Sequence, residues 1–236
     1  MATKNKIKLS NDFVHSVITN NNALTLKILF YIILNGKLEN YSEYSSKAVL
    51  DLGLLKKTIN TDFVTLRRNI QQIQKTLVTI YKDKYTIIDS TIIHYAKYDY
   101  KNQTLMCLIQ KDVINHLLEL KNKFTIIDLD NLFQLQGKHS IRLLLILENL
   151  SGYDYAKNIT YNVLELNQLF GTNYKTITEI ERAVLIPVKK ELDQYSKLTF
   201  IYDLIYDLDC SKVGRKPLVA VKIYLKDNKQ RQLKMF

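Results

Sequence analysis

Residues Gln136–Tyr202 read QGKHSIRLLLILENLSGYDYAKNITYNVLELNQLFGTNYKTITEIERAVLIPVKKELDQYSKLTFIY. Their apolar spacing decides the fold. Ser140–Leu150 is apolar on nearly every side, which predicts a buried central helix. Val163–Phe170 predicts a short second helix, closed by a turn at Gly171. Ile177–Tyr195 predicts a long amphipathic helix. In front of it, Thr176-Ile-Thr-Glu179 matches the capping box, in which each side chain satisfies a free backbone N–H near the other. Beyond Tyr195 the period switches from helical to alternating. Leu198–Leu208 and Val219–Leu225 predict two strands, joined by the basic turn Ser211–Pro217. Helix, turn, second helix and β-ribbon, in that order, is the layout of a winged helix-turn-helix module.

The long helix has two unlike faces. Ile177, Ile180, Val184, Val188, Glu191 and Tyr195 share the face expected to pack inward. Lys175, Thr178, Glu179, Arg182, Ile186 and Asp193 lie opposite, flanked by Lys189 and Lys190. Pro187 lacks an N–H and predicts a kink. In such a module the N-terminal end of the second helix enters the major groove. Lys175, Thr176, Thr178 and Arg182 stand at that end, with Lys189 further along, and they are the candidate DNA contacts. Arginine can pair with both acceptors of a guanine. Glu179 has two readings: completion of the capping box, which is preferred, or acceptance from a cytosine amine. The plain alternative for Arg182 is an i,i+3 pair with Glu179 on a solvated surface; the module favours base or phosphate contact. At the wing tip, Lys212, Arg215 and Lys216 would reach the phosphate backbone or the adjacent minor groove.

The first half repeats the pattern. Residues 1–10 read as a polar arm, and Asn11–Ile18 as a strand or a helical turn. Leu24–Leu34 predicts a helix, ended at Asn35-Gly36 by a left-handed glycine cap. Lys37–Glu43 reads as a loop, and Ser45–Leu55 as a helix with Ser45 or Ser46 as N-cap. Within Lys56–Leu77, the residues Phe63, Leu66, Ile70, Ile73 and Leu77 form one stripe of a further helix. The opposite face carries Thr61, Thr65, Arg68 and Gln72. It has no acid, and every member can donate a hydrogen bond, as a helix laid against phosphates or base edges requires. A polar face turned to water is the plain alternative. Leu77–Ile109 alternates with β-branched and aromatic residues and predicts a ribbon. Lys111–Leu120 predicts a short helix, Phe124–Leu129 a strand, and Asp130 the start of a helix into the second module. The fold class is therefore α+β, with two tandem winged helix-turn-helix domains in pseudo-repeat, residues 1–123 and 124–236. The repeat is one of pattern; the halves share no visible sequence identity.

Charge agrees with an anionic partner. The 236 residues carry a formal net charge of +11. Residues 1–120 hold 16 basic and 10 acidic side chains, and residues 121–236 hold 18 and 13, so the halves carry +6 and +5. A basic balance spread over both halves points to a polyanion, most commonly nucleic acid. The two cysteines, Cys107 and Cys210, have neither metal spacing nor a disulfide pattern, which suits a reducing cytoplasm. The N-terminus has no apolar signal region, and the longest apolar run, Ala23–Leu34, is short and contains Lys27, so no membrane span is expected. The tail from Lys226 carries four cations against one Asp and reads as flexible.

At this point a family resemblance appears. Phe124-Thr-Ile-Ile-Asp-Leu, followed by Gly137-Lys-His-Ser-Ile-Arg-Leu-Leu-Leu-Ile-Leu147, resembles the junction motif of theta-type, iteron-binding plasmid replication initiators (Rep proteins). Glu165–Gly171, Tyr174 and Arg182–Asp193 resemble the family's next two helices, and Gly214-Arg-Lys216 its basic wing. Lys8–Phe13 and Leu24–Leu34 fit its first half. The resemblance implies two winged-helix domains. The first would supply dimerisation and phosphate contacts, the second the main reading of iteron DNA. It implies self-association between monomer and dimer, autorepression, contact with a host initiator ATPase and the replicative helicase, and no cofactor. Family recognition helices are often Arg-rich where this chain has Ile180-Glu-Arg-Ala183, so the DNA sequence read must differ.

Two rival readings stand beside it. A rolling-circle nicking enzyme needs a tyrosine and a His-bound metal. Sixteen tyrosines are available, but His15, His94, His116 and His139 are isolated and no His-x-His pair exists. No phosphate-binding loop or paired-carboxylate motif is present, so no catalytic or metal-binding residue is assigned. A plain winged-helix transcriptional repressor shares the DNA-binding argument; the duplicated module without an effector domain favours the initiator.

Overall fold

The computed structural model describes residues 6–10, 22–82, 84–118, 124–152, 157–207 and 216–228. The chain folds as two units, Met1–Phe133 and Gln134–Phe236.

The first unit is built around α1 (Ala23–Asn35), whose Asn22 side chain accepts the Thr25 N–H at 2.9 Å. Every residue from Thr25 to Ile33 is buried. Lys27 is among them, its amine donating to the Phe133 carbonyl at 2.8 Å. Gly36 ends the helix, but not through a left-handed cap: its φ is −74° and ψ is 96°. Glycine is needed there for close approach. A Cβ would lie 2.5 Å from the Ile32 carbonyl oxygen and 2.7 Å from the Ala48 Cβ.

The chain then forms β2 (Lys37–Asn40) and β3 (Ser45–Asp51), where a loop and a helix were expected. The β3 side chains alternate: Ala48 and Leu50 point into the core and Val49 points out. Hydrogen bonds from β2 on one side and a later strand on the other decide the conformation, which outweighs local helical propensity. Asp51, not a serine, caps the next helix, α2 (Leu52–Ile59), by accepting from Leu54 N at 2.7 Å. Asn60, at φ 53°, breaks the helix, and Asp62 caps α3 (Phe63–Lys75). The helix expected over 56–77 is therefore two helices, with Thr61 in the connection and Leu77 already in β4 (Leu77–Lys82).

The predicted ribbon is present as β4, β5 (Ile87–Thr91), β6 (Ile93–Asp99) and β7 (Thr104–Gln110). An antiparallel sheet runs β2-β3-β7-β6, and β4 pairs with β5 in a separate hairpin. Helix α4 (Lys111–Leu118) follows. Strand β8 (Phe124–Asp128) pairs with β1 (Lys6–Ser10), from Lys6 opposite Asp128 to Ser10 opposite Phe124. Residues 6–10 are thus a strand rather than an arm. This pairing carries the first unit past residue 123 to Phe133, through most of α5 (Leu129–Gln134). Residues 11–18, expected as a strand or helical turn, lie outside the described residues.

The second unit starts with α6 (Lys138–Ser151), buried at Ser140–Leu147 and Leu150 as its apolar surface requires. β9 (Asn158–Asn162) leads into α7 (Val163–Phe170). The long helix is segmented: α8 (Ile177–Ile180), a π-helical turn (Glu181–Leu185) and α9 (Ile186–Tyr195). Where Pro187 predicts a kink, the helix takes the π turn just before it. The Ile186 N–H reaches the Glu181 carbonyl, five residues back, and Pro187 falls in the first turn of α9, where a missing N–H costs least. The wing strands β10 (Leu198–Tyr206) and β11 (Leu218–Asp227) pair antiparallel, with β9 on the far side of β11. Phe170, Ile180, Leu192, Phe200, Val221 and Ile223 close the core between helices and ribbon. The tail does not loosen at Lys226. β11 runs on to Asp227, and buried Asn228 donates its amide N–H groups to the carbonyls of Leu192, Asp193 and Ser196 at the end of α9. No helix among the described residues is long and apolar enough to cross a membrane.

Candidate nucleic-acid interface

In the second unit α7, a tight turn and α8 form the helix-turn-helix. Asn162 and Glu165 cap α7 reciprocally. Gly171 takes the left-handed conformation at φ 60°, which glycine adopts at no steric cost. The turn is then held by one side chain. Asn167 accepts from the Thr172 hydroxyl and the Tyr174 N–H, and donates to the Tyr174 carbonyl, all at 2.8 Å. The sequence signal for this role is a polar residue on the second helix facing a Gly-Thr-Asn turn.

The capping box at Thr176 forms. Its hydroxyl accepts the Glu179 N–H at 3.2 Å, and the Glu179 carboxylate accepts the N–H groups of Lys175 at 2.8 Å and Thr176 at 3.2 Å. Glu179 is therefore used as a cap, and Arg182 makes no ion pair with it. Ion pairs form instead at Lys47–Glu39 and Lys189–Asp193. Glu181 lies on the wing side of the helix. It accepts from the Tyr202 hydroxyl at 2.9 Å, and burial together with that carboxylate pushes the Tyr202 hydroxyl up to about 12.

Thr178 and Arg182 share the exposed side of this helix, with Ala183, Ile186, Pro187 and Lys190 beyond them, and Lys175 stands exposed just before the N-cap Thr176. Both acids of its first two turns are occupied by the fold, so the exposed side is cationic and apolar without an unpaired carboxylate in view. Lys189 is placed differently from its neighbours. It is half-buried, ion-paired with Asp193 at 2.8 Å and 6.0 Å over the Phe200 ring, so it braces the helix against the wing. Thr178 and Lys216 meet in one cleft of about 250 Å³, lined also by Glu181, Leu204, Tyr206 and Leu218. Helix and wing thus present a donor each to one groove. Lys212 and Arg215 lie outside the described residues.

In the first unit, Thr65, Arg68 and Gln72 lie on α3, the latter two exposed, while Thr61 stands in the connection before it. Thr61 and Thr65 line a cleft of about 710 Å³ with Gly53, Lys56, Lys57, Asn60 and Asp62. The face is not wholly acid-free, since Asp62 belongs to it. The backbone and hydroxyl of Thr65 hold the Asp62 carboxyl below its usual range. Lys56 lies 3.8 Å over the Phe63 ring, and Arg67 stands exposed beside Arg68. Lys56 and Lys57 reach this cleft because the helix breaks at Asn60, which the apolar period does not reveal. Among the described residues no three His, Cys, Asp or Glu side chains converge as a metal site would require.

Residues 6–148 match the family model of the initiator replication protein WH1 domain, and residues 162–225 that of the initiator Rep protein WH2 domain. The chain belongs to the initiator replication protein family. Both winged-helix domains of that family are present in order, as the sequence pattern and the resemblance imply. No curated protein matches the chain. Among solved structures, the Pi initiator protein crystallised with iteron DNA is similar in fold: TM-score 0.69 at 16% identity, covering 96% of this chain and 99% of that one. Domains 2 and 3 of RctB align at a TM-score of 0.43 and 12% identity, covering 94% of this chain and 86% of that one.

Proposed function

We propose that this replication initiator binds double-stranded DNA sequence-specifically at direct repeats, the iterons of a plasmid origin. The observation that carries the reading is the exposed line of Lys175, Thr178 and Arg182 behind a helix-turn-helix, with Glu179 and Glu181 both engaged elsewhere. A helix so stripped of free carboxylates suits the acceptor-rich major groove. Thr176 stands with them at the helix start. The cleft shared by Thr178 and Lys216, with Lys212 and Arg215 on the connection between the wing strands, suits the neighbouring backbone. Thr61, Thr65, Arg68 and Gln72, joined by Lys56, Lys57 and Arg67, form the first unit's contribution to phosphate contact. The fold shared with an initiator crystallised on iteron DNA supports the same reading.

In this reading the protein acts by binding and has no catalytic step of its own. It works in the bacterial cytoplasm on plasmid DNA, passes between monomer and dimer through the first unit, represses its own gene, and recruits a host initiator ATPase and the replicative helicase. Footprinting of the purified protein on DNA flanking its gene tests the reading. Expected is protection of direct repeats spaced by about two helical turns, so that copies lie on one side of the duplex. Absence of repeat protection, or a metal-dependent nick in supercoiled origin DNA, would contradict it.

A further inference from the structure

The π turn at Glu181–Leu185 sets which residues of the recognition helix look outward. In an α-helix a step of four residues overshoots a full turn by about 40°. Thr178, Arg182, Ile186 and Lys190 would then spread over roughly a third of the circumference. A π turn holds roughly four and a half residues, so five residues wound this way cancel most of that drift. Burial agrees. Thr178, Arg182, Ile186 and Lys190 are all exposed, while Ile180, Val184, Val188 and Leu192, also in steps of four, are all buried. The outer line therefore reads hydroxyl, guanidinium, isoleucine, ammonium.

Ile186 is the odd member. It is 52% exposed on a helix whose inner face already fills its core. Ala183 and Pro187, also exposed, extend the apolar surface beside it. Arg182 and Lys190 bracket it, while Glu179 is engaged by the Thr176 N–H and Glu181 by the Tyr202 hydroxyl on the wing side of the helix. The occupant of such a strip must be anionic along its edges and apolar at its centre. The major groove has that character where a thymine 5-methyl group projects between two phosphate strands.

We propose that Ile186 is a specificity-determining residue that packs on a thymine methyl group one helical turn from the base read by Arg182, and that the π turn is what aligns the two. This rests on the DNA-binding reading above. The test replaces single thymines of the protected repeat by uracil, which removes only the 5-methyl group, and titrates wild type and Ile186→Ala. Because Ile186 is exposed, Ile186→Ala should keep the wild-type thermal unfolding curve. Expected is one thymine, or two adjacent ones, where uracil weakens wild type about three- to tenfold, the worth of one buried methyl, and where Ile186→Ala is insensitive. If uracil acts equally on both proteins at every position while the repeat is still preferred over scrambled DNA, the role of Ile186 is overturned and the DNA-binding reading stands. If neither protein prefers the repeat, both fall.

Discussion

The Glu191 carboxylate accepts the Gly137 N–H at 3.1 and 3.2 Å, tying α9 to the start of α6. The same carboxylate takes the Gln136 N–H and the Ser140 hydroxyl. Gly137 has no side chain to cap α6, and a Cβ there would sit 2.7 Å from Glu191 Oε2. An acid from the recognition helix therefore does what an N-cap serine or aspartate does elsewhere, and satisfies the positive end of the helix dipole. Glu191→Ala is expected to destabilise the protein by about 1–3 kcal/mol through the backbone donors it strands. Gly137→Ala should act in the same direction by displacing the carboxylate. Urea unfolding checks both; an unchanged midpoint for Glu191→Ala would contradict the capping role.

His139 makes the second unit sensitive to acid. Its ring stands edge-on to Phe170 with centroids 5.4 Å apart, and burial, aided by Lys138 and Arg142, holds the imidazole down to about 4, from an ordinary 6.5. Between those values the unfolded chain takes up a proton that the folded chain refuses. Stability is therefore complete above about 6.5, falls as pH drops through the window, and stops falling on this account below about 4. His139→Phe should flatten the fall. Unfolding midpoints at pH 7 and pH 4.5 decide it; equal losses in wild type and variant would remove His139 from the account.

Asn167 holds the turn between the two helices through three hydrogen bonds. Asn167→Ala is expected to cost about 1–3 kcal/mol and to loosen the angle at which the recognition helix is presented. DNA affinity should fall although no contact to DNA is removed, while Asn167→Asp, which keeps the acceptor, should lose less. Circular dichroism unfolding and a repeat-binding titration on the same samples separate the two effects.

Lys216, just before β11, lines the cleft with Thr178. Lys216→Ala should weaken binding to repeat and scrambled DNA alike and lower the slope of log affinity against log salt by about one. A loss confined to the repeat would place Lys216 among the base readers instead.

Legibility in the sequence followed the range of the forces involved. Helix α7 and the start of α8 were readable because their signals are local: Val163–Phe170 is bounded by its own cap and glycine, and Thr176 and Glu179 satisfy each other within one turn. Strand β3 has a locally helical pattern, and its identity as a strand comes from β2 and β7, more than fifty residues away in the second case. The β1–β8 pairing spans the whole first unit and leaves no local trace, which moved the boundary from residue 123 to Phe133. The π turn was invisible for another reason. Pro187 announces a defect in the ladder without saying whether the chain bends or inserts a residue. Of the candidate contacts, Thr178 and Arg182 are exposed on the helix and Lys175 just before it, whereas Lys189 is drawn to Asp193 by the i,i+4 spacing within α9.

In the proposed DNA-binding reading, Arg182 pairs with a base from the helix behind the Asn167 turn. The most direct test of that pairing is a gel-shift titration of one repeat and a scrambled duplex with wild type and Arg182→Ala. Expected is a loss of about 1–3 kcal/mol on the repeat, traceable to a single base position, with scrambled DNA little affected. Undiminished repeat binding by Arg182→Ala would show that the recognition helix lies elsewhere.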